Sequence, residues 1–234
     1  VQRAAVMERE KRLRGIIFLG GRFDYTPGDL AMLNVPFVCC SYSNQYGTLR
    51  VGEYSAVSIA DEETARQAVD HLYDHGHRRI AALICREDDQ SISQLRYQGY
   101  RKALESHGIP LDEDLVMCTG TFDIRDAYEA VSRRLRQGAD FTALFAIADS
   151  MAIGAMRALR DAGRRVPEDC SVIAIDGLEL SAYIEPPLTT LCQPMEEMGR
   201  RSAQILLGML RGHGSHCCEV LPTKLREGGS VRSV

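Results

Sequence analysis

The side chains best suited to chemistry in this sequence belong to an arginine and an aspartate that lie far apart along the chain. Asp176 directly follows residues 172–175, a short apolar run typical of a buried strand. Side chains at the carboxyl ends of strands collect where ligands bind in open α/β sheets. Arg96 offers five donors in a planar fork, which suits a carboxylate or vicinal hydroxyls. Together they predict a polar ligand site, with a surface ion pair for Arg96 and a turn role for Asp176 as the alternatives.

Other combinations of reactive residues do not form a recognisable catalytic or metal site. His71 and His75 are four residues apart and could share a metal ion, but the sequence suggests no third ligand. His77 lies in a Gly-His-Arg-Arg turn, where we expect a structural hydrogen bond. No nucleophile elbow, phosphate-binding loop or His-Glu-x-x-His motif occurs. We therefore predict no catalytic residue, no metal, no cofactor and no enzymatic activity.

Composition places the chain among globular proteins that do not bind nucleic acid by themselves. Of its 234 residues, 45% are hydrophobic and 26% are charged, and the net charge is −4. A chain with no excess of lysine and arginine cannot neutralise many phosphates. The eight cysteines show no Cys-x-x-Cys spacing and mostly lie in apolar runs, which indicates buried, reduced thiols. With no signal peptide and no long apolar stretch, we expect a cytoplasmic protein.

Helical patterns alternate with short apolar runs, which predicts an α/β fold with largely parallel sheets. The predicted helices cover residues 2–13, 63–75, 94–107, 125–137, 151–162 and 195–211. The predicted strands cover residues 15–19, 36–40, 80–84, 115–118, 143–147 and 171–175. Residues 221–225 and 230–233 are interpreted as short, exposed terminal segments.

Four motifs in a fixed order give the chain a family resemblance. They are GHRRI at residues 76–80, RYQGY at 96–100, ADSMAIG at 148–154 followed by VPEDCSV at 166–172, and PLTTLCQP at 187–194. In order and spacing they resemble the LacI/GalR family of bacterial transcription repressors. Each motif alone is weak, and the resemblance depends on finding all four over most of the chain.

The resemblance implies an effector domain similar to the type I periplasmic binding proteins. Such a domain has two Rossmann-like lobes with parallel sheets, and the ligand lies in the cleft between them. One lobe would comprise residues 1–59 and 194–221, and the other residues 60–193 and 222–234. The family's first lobe opens with a strand, a helix and a strand, and a helix-turn-helix DNA-binding head precedes it. We expect both to be absent from this chain.

The resemblance also assigns ligand-binding roles. Arg96 is similar to the family's effector-contacting arginine. Phe122 lies where an aromatic ring often stacks on the effector, with core packing as the alternative. Gln193 matches an amide ligand of the relatives, although a hydrogen bond at the hinge would explain it as well. Asp149 is expected first as an N-cap of the helix that follows and second as a ligand contact.

Two departures from the family pattern affect the expected ligand. Ser41 and Tyr42 stand where the family frequently carries an Asp-Arg pair, and we retain both as candidate contacts. Ala148 replaces an amide residue that commonly precedes Asp149. Together these changes remove three polar contacts typical of sugar-binding members. A sugar derivative is therefore expected in preference to a simple pentose or hexose.

The function implied by the resemblance is that of an effector-sensing core. Binding of a sugar or sugar derivative would close the two lobes and so change the affinity of a homodimer for operator DNA, which the N-terminal head contacts. Residues 2–13, 151–162 and 178–184 are similar to the family's dimer faces. The alternative is the solute-binding protein of a transporter, against which the eight cysteines argue because an oxidising periplasm would pair them. An enzyme that uses the cleft is a third and less favoured class.

Overall fold

The computed structural model describes residues 1–50, 52–86 and 90–234, and in these residues strands and helices alternate as predicted. The α-helices are α1 (Gln2–Lys11), α2 (Pro27–Leu30), α3 (Asp61–Asp74), α4 (Ile92–Ser106), α5 (Ile124–Arg136), α6 (Asp149–Asp161) and α7 (Met195–Leu210). The strands are β1 (Ile16–Leu19), β2 (Phe37–Cys40), β3 (Ala56–Ile59), β4 (Ile80–Ile84), β5 (Val116–Cys118), β6 (Ala143–Ala146), β7 (Ser171–Asp176), β8 (Thr189–Cys192), β9 (Cys218–Leu221) and β10 (Lys224–Arg226).

The chain folds into two compact units, each assembled from separate stretches of sequence. The first unit comprises Val1–Ala60, Gln90–Ile92 and Pro194–Pro222. The second comprises Asp61–Asp89, Ser93–Gln193 and Thr223–Val234. We propose that these units are the two lobes predicted from the sequence.

The first unit is built on a four-stranded parallel sheet. Its strand order is β1-β2-β3-β9, and one row of neighbouring residues runs Phe18, Cys39, Ala56 and Cys218 across all four strands. Helix α7 packs against β1, β2 and β3. All four residues of β2 and of β3 are buried, as expected for parallel strands at the centre of a sheet.

The second unit is built on a six-stranded sheet of order β10-β8-β7-β6-β4-β5. Its strands are parallel except β10, which pairs antiparallel with β8. Every residue of β4 and β6 is buried, so these central strands read as continuous apolar runs. Because β4, β6 and β7 run parallel, their carboxyl ends meet at one edge of the sheet, where β7 ends in Asp176.

The predicted fold class is confirmed, with differences in particular elements. Most predicted helices and strands begin and end within two residues of the observed ones, whereas α2, β3 and β8 were not predicted. Residues 221–225 are mostly exposed, as predicted, but the sequence did not indicate that β9 and β10 occupy this region and pair with β3 and β8. The prediction of an exposed segment at residues 230–233 was wrong for Ser230, which is buried. Its hydroxyl donates to Val172 O and accepts from Thr189 N.

The cysteines are free thiols, but fewer are buried than the sequence predicted. The buried ones are Cys39, Cys40, Cys85 and Cys170. Cys192 and Cys217 are half-buried, and the prediction was wrong for Cys118 and Cys218, which are exposed. Among the described residues, no helix combines the length and apolar character needed to cross a bilayer.

Candidate functional site

Arg96 projects from α4 into the interior of the second unit. A close approach between α4 and α3 places it there: a Cβ atom added to Gly99 would lie 2.1 Å from Glu62 O, at the start of α3. Only a glycine at this position allows the two helices to lie so near each other. As a result Arg96 reaches Asp61, the first residue of α3, and is only 1% exposed. The alternative of a surface ion pair was therefore wrong.

The Arg96 guanidinium binds two carboxylates and a main-chain oxygen. Its Nε donates to Asp61 Oδ1 at 2.9 Å, and its Nη1 donates to Asp176 Oδ1 at 3.1 Å and to Ile147 O. Its Nη2 is buried and has no hydrogen-bond partner in the part of the chain that the structure describes. Buried donors are normally paired, so this atom is a specific candidate for contact with a ligand.

Asp176 lies at the carboxyl end of β7, as predicted, and joins Arg96 to Gln193. Its Oδ1 accepts hydrogen bonds from Arg96 Nη1 and from Gln193 Nε2, the latter at 2.6 Å. Its main-chain oxygen accepts from Gln193 N at 3.0 Å. The side chain is 21% exposed, and within the described residues Oδ2 has no partner. The site therefore offers an open carboxylate oxygen close to an unpaired guanidinium nitrogen.

Asp61 is the member of this cluster that sequence reasoning missed. Burial raises the pKa of Asp61, an effect that the neighbouring Arg96 guanidinium opposes. Burial also tends to lower the pKa of Arg96, but the Asp61 and Asp176 carboxylates outweigh it, so this pKa is raised. Acidic residues are common in the first turn of helices because the helix dipole favours them. Nothing in the sequence therefore marked Asp61 as a partner of Arg96.

Asp149 is completely buried and does not cap α6, so that prediction was wrong. Ala148 is the N-cap residue, and it forms no side-chain cap. The Asp149 carboxylate instead accepts from Leu178 N at 2.7 Å, Ser181 Oγ at 2.6 Å and Thr190 Oγ1 at 2.6 Å. Burial raises its pKa, although these three donors favour the charged form.

The remaining predicted contacts lie elsewhere, and their ligand-binding roles stay predictions. Phe122 precedes α5 and is 38% exposed, so its ring does not belong to the buried core. Ser41 follows β2 in the first unit, with a positive φ of 57° and a main-chain N–H that donates to Val57 O. Tyr42 is buried, and its hydroxyl donates to Asn44 Oδ1.

Local structure accounts for the histidine of the GHRRI motif and for the contact between His71 and His75 at the end of α3. His77 is buried, with Nδ1 3.0 Å from Thr142 Oγ1 and Nε2 2.9 Å from Ser171 Oγ, which confirms the predicted structural hydrogen bond. His75 Nδ1 lies 2.7 Å from His71 O. Over residues 1–50, 52–86 and 90–234, no cluster of three His, Cys, Asp or Glu side chains is arranged to hold a metal ion.

Comparison with known proteins agrees with this fold. Residues 69–231 match the family model of the periplasmic binding protein-like domain. The chain is 34% identical to the HTH-type transcriptional regulator MalR of Clostridium butyricum over 97% of its own length and 67% of that protein. It is 37% identical to the regulator CelR of Thermobifida fusca over 85% of its length, which corresponds to 57% of CelR. The chain thus spans between about half and two thirds of the length of such relatives.

Solved structures show the same similarity in three dimensions. The complex of the transcriptional regulator CelR with cellobiose superposes with a TM-score of 0.86 at 32% identity, covering 98% of this chain and 69% of that one. The lac repressor dimer bound to operator and an anti-inducer superposes with a TM-score of 0.83 at 27% identity, covering 99% of this chain and 78% of that one. The similarity therefore extends over both compact units.

Proposed function

The chain belongs to the LacI/GalR family of transcription regulators, and on that premise we propose that it senses a neutral, polyhydroxylated effector through Arg96, Asp176 and Gln193. One observation carries the proposal: Arg96 Nη2, which is buried and has no partner among the described residues, belongs to the same ion pair as Asp176, whose Oδ2 is open. A sugar hydroxyl both donates and accepts, so two neighbouring hydroxyls can satisfy the carboxylate and the guanidinium together.

The family identity also decides between a transcription regulator and the solute-binding protein of a transporter. The curated relatives are transcription regulators, so the chain corresponds to their effector-sensing core and not to the solute-binding protein of a transporter. The similar CelR structure is a complex with cellobiose, and we propose a ligand of the same chemical class for this chain. We also propose that the chain binds its ligand without converting it, so the ligand should be recovered unchanged after incubation.

The charges around the site favour a neutral ligand over an anionic one. The Arg96 cation is already paired with two carboxylates, those of Asp61 and Asp176, and the Arg226 cation donates to Leu178 O and Ser181 Oγ. Asp149 adds a third carboxylate, which lies close enough to Asp176 that the Asp176 charge helps to raise the pKa of Asp149. A sugar phosphate would add about two negative charges next to these carboxylates, and the repulsion would cost binding free energy in a partly buried site.

A ligand panel tests this proposal. We would measure thermal shifts and titration calorimetry with neutral saccharides, including cellobiose, and with the corresponding sugar phosphates. A neutral sugar should raise the melting temperature, and Asp176→Asn should weaken its binding by about tenfold or more because a charged hydrogen bond is lost. Asp169→Asn is the matched control, since Asp169 forms an exposed ion pair with Arg165. Unchanged binding in Asp176→Asn, or tighter binding of the phosphates, would overturn the proposal.

We further propose that the chain forms a homodimer through the face that displays Leu180 and Tyr183. These side chains are 59% and 79% exposed. The segment continues at Ile184 into a groove of about 710 Å³, which is lined by apolar side chains of α6, by four arginines (Arg157, Arg160, Arg164 and Arg165) and by two glutamates (Glu168 and Glu185). Arg157 and Arg165 are already paired with Asp161 and Asp169, so the match that the groove offers a second copy is chiefly apolar. One copy's exposed Leu180 and Tyr183 therefore fit the apolar part of the groove of a second copy, as an isologous interface requires.

Sedimentation velocity tests the dimer at micromolar concentration. The double substitution of Leu180→Ser with Tyr183→Ser should yield monomers, because it removes the two most exposed apolar side chains of the face. Leu207→Ser, which changes an exposed leucine of α7, should leave the dimer intact. A wild-type chain that sediments as a monomer, or a double variant that remains dimeric, would contradict the assignment.

The behaviour of the whole regulator is a proposal as well. We propose that effector binding changes the affinity of the dimer for operator DNA through a separate DNA-binding head in the cytoplasm. Such coupling requires only that the effector bind two arrangements of the regulator with different affinity. The net charge of −4 agrees with this proposal, because a domain without an excess of lysine and arginine is not expected to bind the DNA itself.

A further inference from the structure

The Asp149 carboxylate binds three segments of the second unit at once. Oδ2 accepts from Leu178 N and Ser181 Oγ, and Oδ1 accepts from Thr190 Oγ1. Leu178 lies two residues after Asp176, and Thr190 lies in β8. The carboxylate therefore connects the start of α6 to the turn after β7 and to the neighbouring strand.

The turn that carries Asp176 needs such an anchor because its backbone is unusual. Asp176 has a φ of +134°, which residues other than glycine rarely adopt, and Gly177 has a φ of +76°. A Cβ atom added to Gly177 would lie 2.5 Å from Cys192 Sγ, so the turn packs directly against the end of β8. On one side the turn is fixed by Gln193 N, which donates to Asp176 O. On the other side it is fixed by the bond from Leu178 N to Asp149.

We propose that Asp149 is a positioning residue of the effector site, which holds the turn at residues 176–178 so that Asp176 stays bonded to Arg96 and Gln193. The inference rests on the proposed function, in that Asp176 is taken to contact the effector. Asp149 does not itself contact the ligand, because it is fully buried and both of its oxygens already accept hydrogen bonds.

The same carboxylate gives the site a connection to the exposed face that displays Leu180. Ser181 donates to Asp149 and belongs to the 3-10 helical turn Glu179–Ala182, which includes Leu180. Arg226 Nη2 donates to Ser181 Oγ and to Leu178 O, which fixes this helical turn from a second side. A displacement of Asp176 by the effector would thus act on an anchor that it shares with this face.

Substitutions at Asp149 distinguish positioning from general stabilisation. Asp149→Ala removes the acceptor for Leu178 N, and we expect the affinity for the tightest-binding neutral saccharide of the panel to fall by about tenfold or more. Asp149→Asn should rescue binding to within about threefold, because its Oδ1 can accept from Leu178 N while its Nδ2 donates to Thr190 Oγ1. Thr190→Val is the matched control: it leaves the turn untouched, so it should lower the melting temperature without a comparable loss of affinity.

A double-mutant cycle with Asp176→Asn identifies the route of the effect. If Asp149 acts through Asp176, then Asp149→Ala should have little further effect on affinity in the Asp176→Asn background. Additive losses would overturn the positioning role. If Asp176→Asn alone leaves binding unchanged, the proposed function fails; if only Asp149→Ala leaves it unchanged, the proposed function stands and this inference fails.

Hydrogen exchange gives a readout that needs no ligand. In the wild-type chain the Leu178 amide, bonded to a buried carboxylate, should exchange at least about a hundredfold more slowly than the amide of the exposed Leu180. In Asp149→Ala or, if that variant does not fold, in Ser181→Ala, the Leu178 amide should exchange faster while the amides of β6 keep their protection. A Leu178 amide as fast as that of Leu180 in the wild type would overturn the inference.

Discussion

Replacing Gly154 by alanine should destabilise the second unit, because α5 packs tightly against α6 at this residue. The added Cβ atom would lie 2.2 Å from Ile124 O and 3.0 Å from both Ala127 Cβ and Tyr128 N. An oxygen of the main chain cannot rotate away, so α5 would have to move by about 1 Å, and overpacking of this kind costs about 1–3 kcal/mol. Alanine has a higher helix propensity than glycine, which offsets this cost by up to about 1 kcal/mol. We therefore expect a net loss of about 2 kcal/mol.

The same substitution at Gly208 should have the opposite sign and serves as the control. Gly208 lies inside α7, and an added Cβ atom would meet nothing within 4 Å. Here only the propensity gain remains, so Gly208→Ala should stabilise the first unit by about 0.5–1 kcal/mol. Urea unfolding followed by circular dichroism measures both changes, and hydrogen exchange of β6 and β2 assigns each to its unit. A Gly154→Ala protein as stable as the wild type would refute the reasoning.

Three further predictions concern buried charge, protonation and thiol reactivity. Asp61→Asn should lower the free energy of urea unfolding by about 3 kcal/mol, because it leaves Asp176 as the only carboxylate paired with the buried Arg96 cation. The control is Glu62→Gln, which changes an exposed pair with Lys102 and should lower the free energy of unfolding by less than about 1 kcal/mol. Burial lowers the pKa of His77, so the unfolded chain takes up this proton first as the pH falls. Stability should therefore decline below a pH of about 6.5, with His77→Gln reducing the slope by at most about 1.4 kcal/mol per pH unit, and an unchanged slope would contradict this assignment. Burial raises the pKa of Cys39 and Cys170 to about 12, so iodoacetamide should label the exposed Cys218 before either of them in peptide mapping, and equal labelling of all three would contradict the buried positions.

The order of strands and helices was predictable wherever burial is complete. β4 and β6 are buried at every residue, and a strand covered on both faces has a continuous apolar sequence that needs no partner information to be identified. β8 was missed because it begins with Thr189 and Thr190, which do not suggest a core. Both threonines are nevertheless buried, and the hydroxyl of Thr190 donates to Asp149. A sequence pattern cannot show such a partner, because it lies 41 residues away along the chain.

The candidate site was predictable only in part for a similar reason. The position of Asp176 after an apolar run and the donor fork of Arg96 are local features, and the structure brings these two residues together as a bonded pair. Asp61 and Asp149 both lie at the first residue of a helix, where an acidic side chain usually indicates a favourable interaction with the helix dipole. What they bind depends on close packing between distant segments, such as the approach of α4 to α3 at Gly99.

The three aspartates of this site differ in burial and in the hydrogen bonds that their oxygens accept, and these differences separate their roles. Asp149 uses both oxygens within the fold, and Asp61 is buried against Arg96. Asp176 keeps Oδ2 open and is partly exposed. Removing a satisfied buried carboxylate leaves its donors unpaired and costs stability, whereas removing an open one costs chiefly ligand contacts. Asp61 variants should therefore lose stability, Asp176 variants should lose affinity at little cost in stability, and Asp149→Ala should lose both, because its carboxylate supports the fold and the turn that carries Asp176.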